Sequence, residues 1–512
     1  MLKTILATAL TTAALASAAL ASAAAPPTIV ATSPADAGRG LIRISKTEIR
    51  HYAGMGKTAY LRSTDNGLTW KSDPTPKGWP AAACSTLTKE APSIHRLPNS
   101  KEFLLVPSYK KPPLVSTGGI DGTWAVAGTP NLAGIRHHIL PIRGGKRILV
   151  PSHVGGVWTW WSDDNGKTWN QSNKVQVPAH KPGGIHKGTR WNHGAAEPTV
   201  VELKDGRLWM LIRCAQDQHW ETFSKDGGET WSKPRASRFW GTITMPNFYR
   251  LSDGRLLLSW SNTTPLAELA TATGRGEDVF TNRIAQHLAI SEDDGKTWAG
   301  FREVLLDPNR NSTIYALGGS GNDRGVQQSE IVQLDDNRIL MSIGQNSLSR
   351  RLVIVDLRWL VETGRTWTAT DGLDSWTSFH YIDRILGHCQ YCRMPAGIIQ
   401  TVAGNRALVL SRIDEKQAID TWLGMLKMDH YSTWKRAFGR SKPPRVVDPR
   451  DGATWNFPAA HSGSVTMEFM LPKGSQGATL YLADRWFNPE DRHIGKFAFA
   501  SIPLTFKTIK PG

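Results

Sequence analysis

Apolar and polar residues alternate along this chain in short runs, and tight turns rich in Gly and Asp cut the runs. The clearest stretch is 193–231, HGAAEPTVVELKDGRLWMLIRCAQDQHWETFSKDGGETW. Glu197 opens an apolar run, and Lys204, Asp205 and Gly206 form a reversal. A second run from Arg207 ends in Arg213, and a third, more polar strand enters a turn at 224–231. This is the pattern of a β-meander. Strand–turn–strand pairs of the same kind recur at 41–52, 93–106, 138–151, 199–213, 248–261 and 330–343. Six such units at a period of roughly 50–65 residues, four short strands each, predict a β-propeller. The ring should close, because an open stack leaves unpaired sheet edges.

Four octapeptides punctuate the units: STDNGLTW at 63–70, SDDNGKTW at 162–169, SKDGGETW at 224–231 and SEDDGKTW at 291–298, with a degenerate fifth at 116–124. Their residue types suit a structural turn. Asp can accept backbone N–H groups, Gly takes a positive φ, and Trp wedges against the next unit. Asp65, Asp164, Asp226 and Asp293 are therefore expected to hold turns rather than do chemistry. After Leu360 the spacing becomes irregular. The segment 366–512 is expected to form a C-terminal β-sandwich beside a propeller spanning 38–365, with a seventh blade over 395–430 as the alternative.

Composition narrows the class. With 512 residues, 40% of them hydrophobic, and 21 Trp, the chain can build a large core and is not disordered. Residues 1–25 have the form of a cleaved secretory signal: Lys3, an Ala-rich apolar run, then the small residues Ala21, Ser22 and Ala23. No other run is long enough to span a membrane. The expectation is a secreted or periplasmic protein without stable membrane insertion. The formal net charge of +17 favours acidic partners. Lys and Arg are dispersed without a basic run or a nucleic-acid motif, so acidic glycans are expected rather than nucleic acid. Cys389 and Cys392 form a lone CxxC, half of a zinc knuckle, while Cys84 and Cys214 stand apart. No cofactor or metal is expected. Asn170, Asn262 and Asn311 open glycosylation sequons.

The four octapeptides and the 197–213 unit resemble the sialidase (neuraminidase) superfamily of BNR, or Asp-box, proteins over about residues 39–345. The resemblance implies that Glu197 is a catalytic carboxylate. It implies that Arg213, sixteen residues on (213 − 197), and Arg283, ahead of the octapeptide at 291, grip a substrate carboxylate. Arg39 or Arg43 would supply a third guanidinium, although the family's Arg-Ile-Pro opening is broken here. Two further departures bear on chemistry. The stretch 53–57, where the family keeps an acid/base Asp, contains no carboxylate. Gln328 stands where the nucleophilic Tyr belongs, and an amide cannot attack an anomeric carbon.

What remains is a guanidinium clamp with one carboxylate, suited to an anionic sugar. Histidines crowd the same units: His186, His193, His219 and His287, and His137, His138 and His153 in the blade before. His193 and His219 are the candidate proton-transfer partners of Glu197, with Tyr249 and Tyr391 as further candidates. Arg39, Arg213, Arg283 and Gln328 are the candidate substrate-binding residues. The expected function is a sialidase-like exo-glycosidase acting on terminal acidic sugars. The alternatives are a polysaccharide lyase on uronic-acid glycans and a non-catalytic glycan-binding propeller.

Overall fold

A computed structural model describes residues 3–5, 24–33, 39–52, 59–80, 91–109, 111–128, 132–181, 183, 190, 194–264, 283–311, 314–316, 325–344, 349–381, 391–410, 416, 452–487, 489 and 493–504. It is almost wholly β. Six antiparallel sheets follow one another along the chain as the blades of a propeller.

Blade 1 runs Leu41–Arg43, Ile49–Tyr52, Ala59–Ser63 and Lys71–Pro74. Blade 2 is Ser93–Arg96, Phe103–Val106, Leu114–Thr117 and Thr123–Val126. In blade 3 the innermost strand is broken into Ile135–Arg136 and Leu140–Ile142, both paired with Arg147–His153, and Val157–Ser162 and Asn170–Gln171 follow. Blade 4 is Ala196–Glu202, Leu208–Arg213, Gln218–Ser224 and Arg235–Trp240. Blade 5 is Asn247–Arg250, Leu256–Trp260, Ala285–Ser291 and Ala299–Leu306. Blade 6 takes Ser329–Gln333, Arg338–Ile343 and Arg351–Asp356 from late in the chain and its outer strand, Thr28–Ala31, from the start.

That shared blade closes the ring, and the core clusters follow the closure. Each of the six blade-to-blade interfaces has its own apolar cluster. The seam between first and last blades packs Leu41 and Ile49 against Val332, Leu340 and Leu352. Six blades therefore make the ring.

The octapeptides join the third and fourth strands of their blades and form the same turn. In the first, the Ser63 hydroxyl donates to Asp65 and accepts from Gly67 N, the Thr69 amide and hydroxyl donate to the two Asp65 oxygens, and Trp70 Nε1 donates to Gly67 O. Each turn abuts the preceding blade. A Cβ on Gly228 would lie 3.0 Å from Leu149 of blade 3, and one on Gly295 2.7 Å from Trp209 of blade 4. In the degenerate turn of blade 2, Asp121 instead pairs with Arg50 of blade 1.

Beyond the propeller, the described residues of 366–512 form short ribbons: Gly397–Val402 with Asn405–Leu410, Ala478–Leu482 with Ala500–Leu504, and Trp376–Thr377 with Thr454–Trp455. A three-stranded sheet joins Phe379–Tyr381 and Tyr391–Pro395 to Ile314–Ala316. Asp484–Phe487 docks on the rim of the propeller. Trp486 N donates to Asn262 O, and Arg485 lies 3.7 Å over the Trp240 ring. Among the described residues no helix is long and apolar enough to cross a membrane.

Candidate active site

Propeller geometry gathers the first residues of the innermost strands and the last residues of the second strands at one end of the ring. Glu197 and Arg213 occupy those places in blade 4. Ala196 pairs with Arg213 and Thr199 with Leu211, so one extra residue lies on the inner strand. Glu197 falls within this bulge at φ 38°. Bulges re-aim side chains, and a non-glycine residue with positive φ is strained and persists where the surroundings impose it. Here the bulge turns the Glu197 carboxylate onto the Arg213 guanidinium, and the two form a short ion pair. Arg213 is buried, and 17% of the Glu197 side chain is exposed.

Blade 3 supplies the neighbouring groups. Its inner strand breaks between Arg136 and Leu140, and the break carries His137 and His138. Arg39, just ahead of blade 1, brings its Nη2 to 2.9 Å from His137 Nδ1, and His137 Nε2 lies 2.8 Å from His153 Nδ1. Because a guanidinium only donates, His137 Nδ1 must accept, and His137 Nε2–H then donates to His153. His153 is left with its proton on Nε2. Burial is the main cause that depresses both imidazoles, His137 well below its ordinary value and His153 to about 4, with Arg39 and Arg213 adding to it and Glu197 opposing it at His153. Both rings are neutral at pH 7. The mutual influence of these charges places Arg39, His137, His153, Glu197 and Arg213 in one cluster.

Blade 6 adds a second carboxyl. Gln328 precedes its inner strand at φ 81°, matching the strain at Glu197. Two residues on, Glu330 Oε2 accepts from Leu41 N at 2.7 Å, and its Oε1 lies 3.8 Å from His138 Nε2. Burial pushes the Glu330 carboxyl up to about 8, against the Leu41 bond and the Arg39 charge. It is mainly protonated at neutral pH.

The remaining expected residues fall in different places. Arg283 is buried, and its carbonyl accepts from Val326 N beside the entry to blade 6. His219 is fully buried, facing Thr244 Oγ1 at 3.5 Å, and burial lowers it to about 3, with the Arg213 charge adding to it. His287 is likewise buried and accepts from Asn262 N. Arg43 donates to the Gln333 carbonyl and Tyr249 accepts from Gln333 N, at the other end of the inner strands. Of the two arginines open at the first unit, Arg39 is the one in the cluster. His186, His193 and the stretch 53–57 lie outside the described residues, as do Cys84, Cys389 and the side chains of Tyr391 and Cys392. Cys214 is a buried free thiol. The sequence pointed to His153 only as one of many; what singles it out is its place at the end of a second strand, the same place as Arg213. Glu330 was read only as the start of a strand.

The fold is a six-bladed β-propeller. A family model described as a BNR repeat-like domain matches residues 40–341, more than half of the chain, and the chain belongs to that family. Among solved structures, it is similar to a protein of unknown function from Dyadobacter fermentans DSM 18053, at 18% identity over 65% of this chain and 97% of that one, with a TM-score of 0.41. It is also similar to the Hadza microbial sialidase Hz136, at 16% identity over 64% of this chain and 66% of that one, TM-score 0.38. Similarity extends to a Trypanosoma rangeli sialidase solved with 2,3-difluorosialic acid, at 14% identity over 74% and 69%, TM-score 0.36.

Proposed function

We propose that this protein is an exported glycoside hydrolase that cleaves a terminal acidic sugar from a glycan. The observation that carries the reading is the Glu197–Arg213 ion pair set in a strained bulge beside the Arg39–His137–His153 chain. A buried cluster of two guanidiniums and neutral N–H donors suits a sugar carboxylate, because charge-assisted bonds strengthen where water is excluded. Arg39 and Arg213 hold the carboxylate, the His153 Nε2–H donates to a substrate oxygen, and Glu197 acts as a base. His219, buried within reach of the Arg213 charge, serves to position that guanidinium. Gln328 and Arg283 serve as further binding residues, and His193 as a further proton-transfer candidate. Residues 366–512 form an appended β-sandwich, and residues 1–25 are removed on export.

A lyase would need a ring nitrogen free to take a proton from carbon, and the tautomers of His137 and His153 leave none at His153. Incubation with sialosides and with uronate polysaccharides separates the readings. New reducing ends without absorbance of an unsaturated uronate support hydrolysis. Appearance of that absorbance supports elimination, and binding without either product supports a lectin. In the hydrolase, Glu197→Gln lowers kcat by about 100-fold or more.

A further inference from the structure

The hydrolytic reading supplies a base but no acid: the stretch 53–57 has no carboxylate, and Gln328 cannot form a glycosyl intermediate. Hydrolysis without a nucleophile can proceed by direct attack of water, which requires one carboxylate to accept a proton and a second carboxyl to give one. The protein holds a second buried carboxyl at the same end of the ring. Glu330 lies two residues on from Gln328, at the second position of the inner strand of blade 6.

The dipeptide His137–His138 connects the two carboxyl groups. His137 leads through His153 toward Glu197, while His138 faces Glu330 from the blade opposite it in the ring. The surroundings of the two carboxyls differ in kind. Glu197 meets a full guanidinium, a partner for a carboxylate. Glu330 meets one backbone N–H at Oε2 and the His138 ring at Oε1, with Arg39 the charged group whose influence reaches it. The burial that keeps Glu330 protonated near neutral pH agrees with a donor's role. Pairs of carboxyls pushed to opposite protonation states are how acid and base are divided in such sites.

Resting on the hydrolytic reading, we propose that Glu330 is the proton donor of the reaction and the acid partner of Glu197. Water attacks the anomeric carbon and its proton passes to the Glu197 carboxylate. The bond from that carbon to the leaving oxygen breaks, and the Glu330 proton goes to the leaving oxygen. Solvent then reprotonates Glu330 and deprotonates Glu197. The sugar is released with inverted configuration.

The test compares wild type with Glu330→Gln on two substrates: a natural acidic glycoside, and an aryl glycoside of the same sugar whose phenolate leaves without protonation. The expected result is a loss of at least about 100-fold on the natural glycoside, with the aryl substrate nearly unaffected. The alkaline limb of the kcat/KM profile, expected near 8 in wild type, should vanish in the variant, and NMR should show the inverted anomer first. Equal loss on both substrates, no loss on either, a persisting alkaline limb or a retained anomer would overturn the proposal while leaving hydrolysis standing. A wild type that cleaves neither substrate would remove the hydrolytic reading and this one with it. Thermal melting of the variant, and Glu330→Asp as a shorter acid, separate misfolding from lost chemistry. A folded Gln variant that is inactive on the natural glycoside, with partial recovery in the Asp variant, supports the donor.

Discussion

Glu197 holds a backbone conformation that glutamate does not choose on its own, and the bulge that imposes it costs on the order of 1–3 kcal/mol. Replacing Arg213 should tell whether that strain serves capture. Arg213→Ala is expected to raise KM for acidic substrates at least ten-fold, with a much smaller effect on neutral analogues; equal losses on both would mark a purely structural guanidinium. Glu330 gives a second residue-level expectation, this time about stability. Its carboxyl titrates near 8 in the fold against an ordinary 4.5. The unfolded chain releases that proton above 4.5 and the fold keeps it. The Glu330 contribution to stability therefore falls as pH rises from 4.5 to 8, by roughly 1 kcal/mol per pH unit. Glu330→Gln, whose amide oxygen can still accept from Leu41 N, should be more stable than wild type at pH 8 and equal to it at pH 4.5, as read by urea unfolding.

The octapeptide turns operate at the scale of the element. Asp226 accepts from the Ser224 hydroxyl, from the amides of Glu229 and Thr230, and from the Thr230 hydroxyl. Asp226→Ala should cost about 1–3 kcal/mol in chemical denaturation, because several turn donors lose one acceptor together. Activity of the folded fraction should persist, which would separate turn residues from catalytic ones. These turns were legible in the sequence because every partner lies within a few residues. The six strand pairs were legible for the same reason. The cluster around His137 was not: Arg39 reaches it across 98 positions and His138 meets Glu330 from a different blade. Local pattern does not encode such approaches. The choice between Arg39 and Arg43 was likewise open until register put Arg43 on the Gln333 carbonyl. Asn262 shows the opposite limit. As a sequon it reads as a surface acceptor, yet it is buried under the docked tail, with its amide nitrogen 3.5 Å from the Asp484 carbonyl.

Across the whole molecule, buried histidines set the response to acid. Burial lowers His51 and His153 to about 4, and His219 and His287 to about 3. The unfolded chain takes up these protons below about 6.5, while the fold refuses them. Stability should therefore be lost as pH falls from 6.5 toward 4, more steeply than for a single group. Since Glu330 opposes this on the alkaline side, a maximum near pH 6.5 is expected in unfolding free energy against pH. A flat profile across that range would contradict the assigned burial.

Because Thr28–Ala31 completes a sheet whose other strands end at Asp356, a nascent chain carries two raw sheet borders until more than three hundred residues have emerged. Such a chain is open to wrong partners until its late strands arrive. A chaperone that shields bare strands would be needed most by this protein during that interval, and least once the first strand has found its late partner.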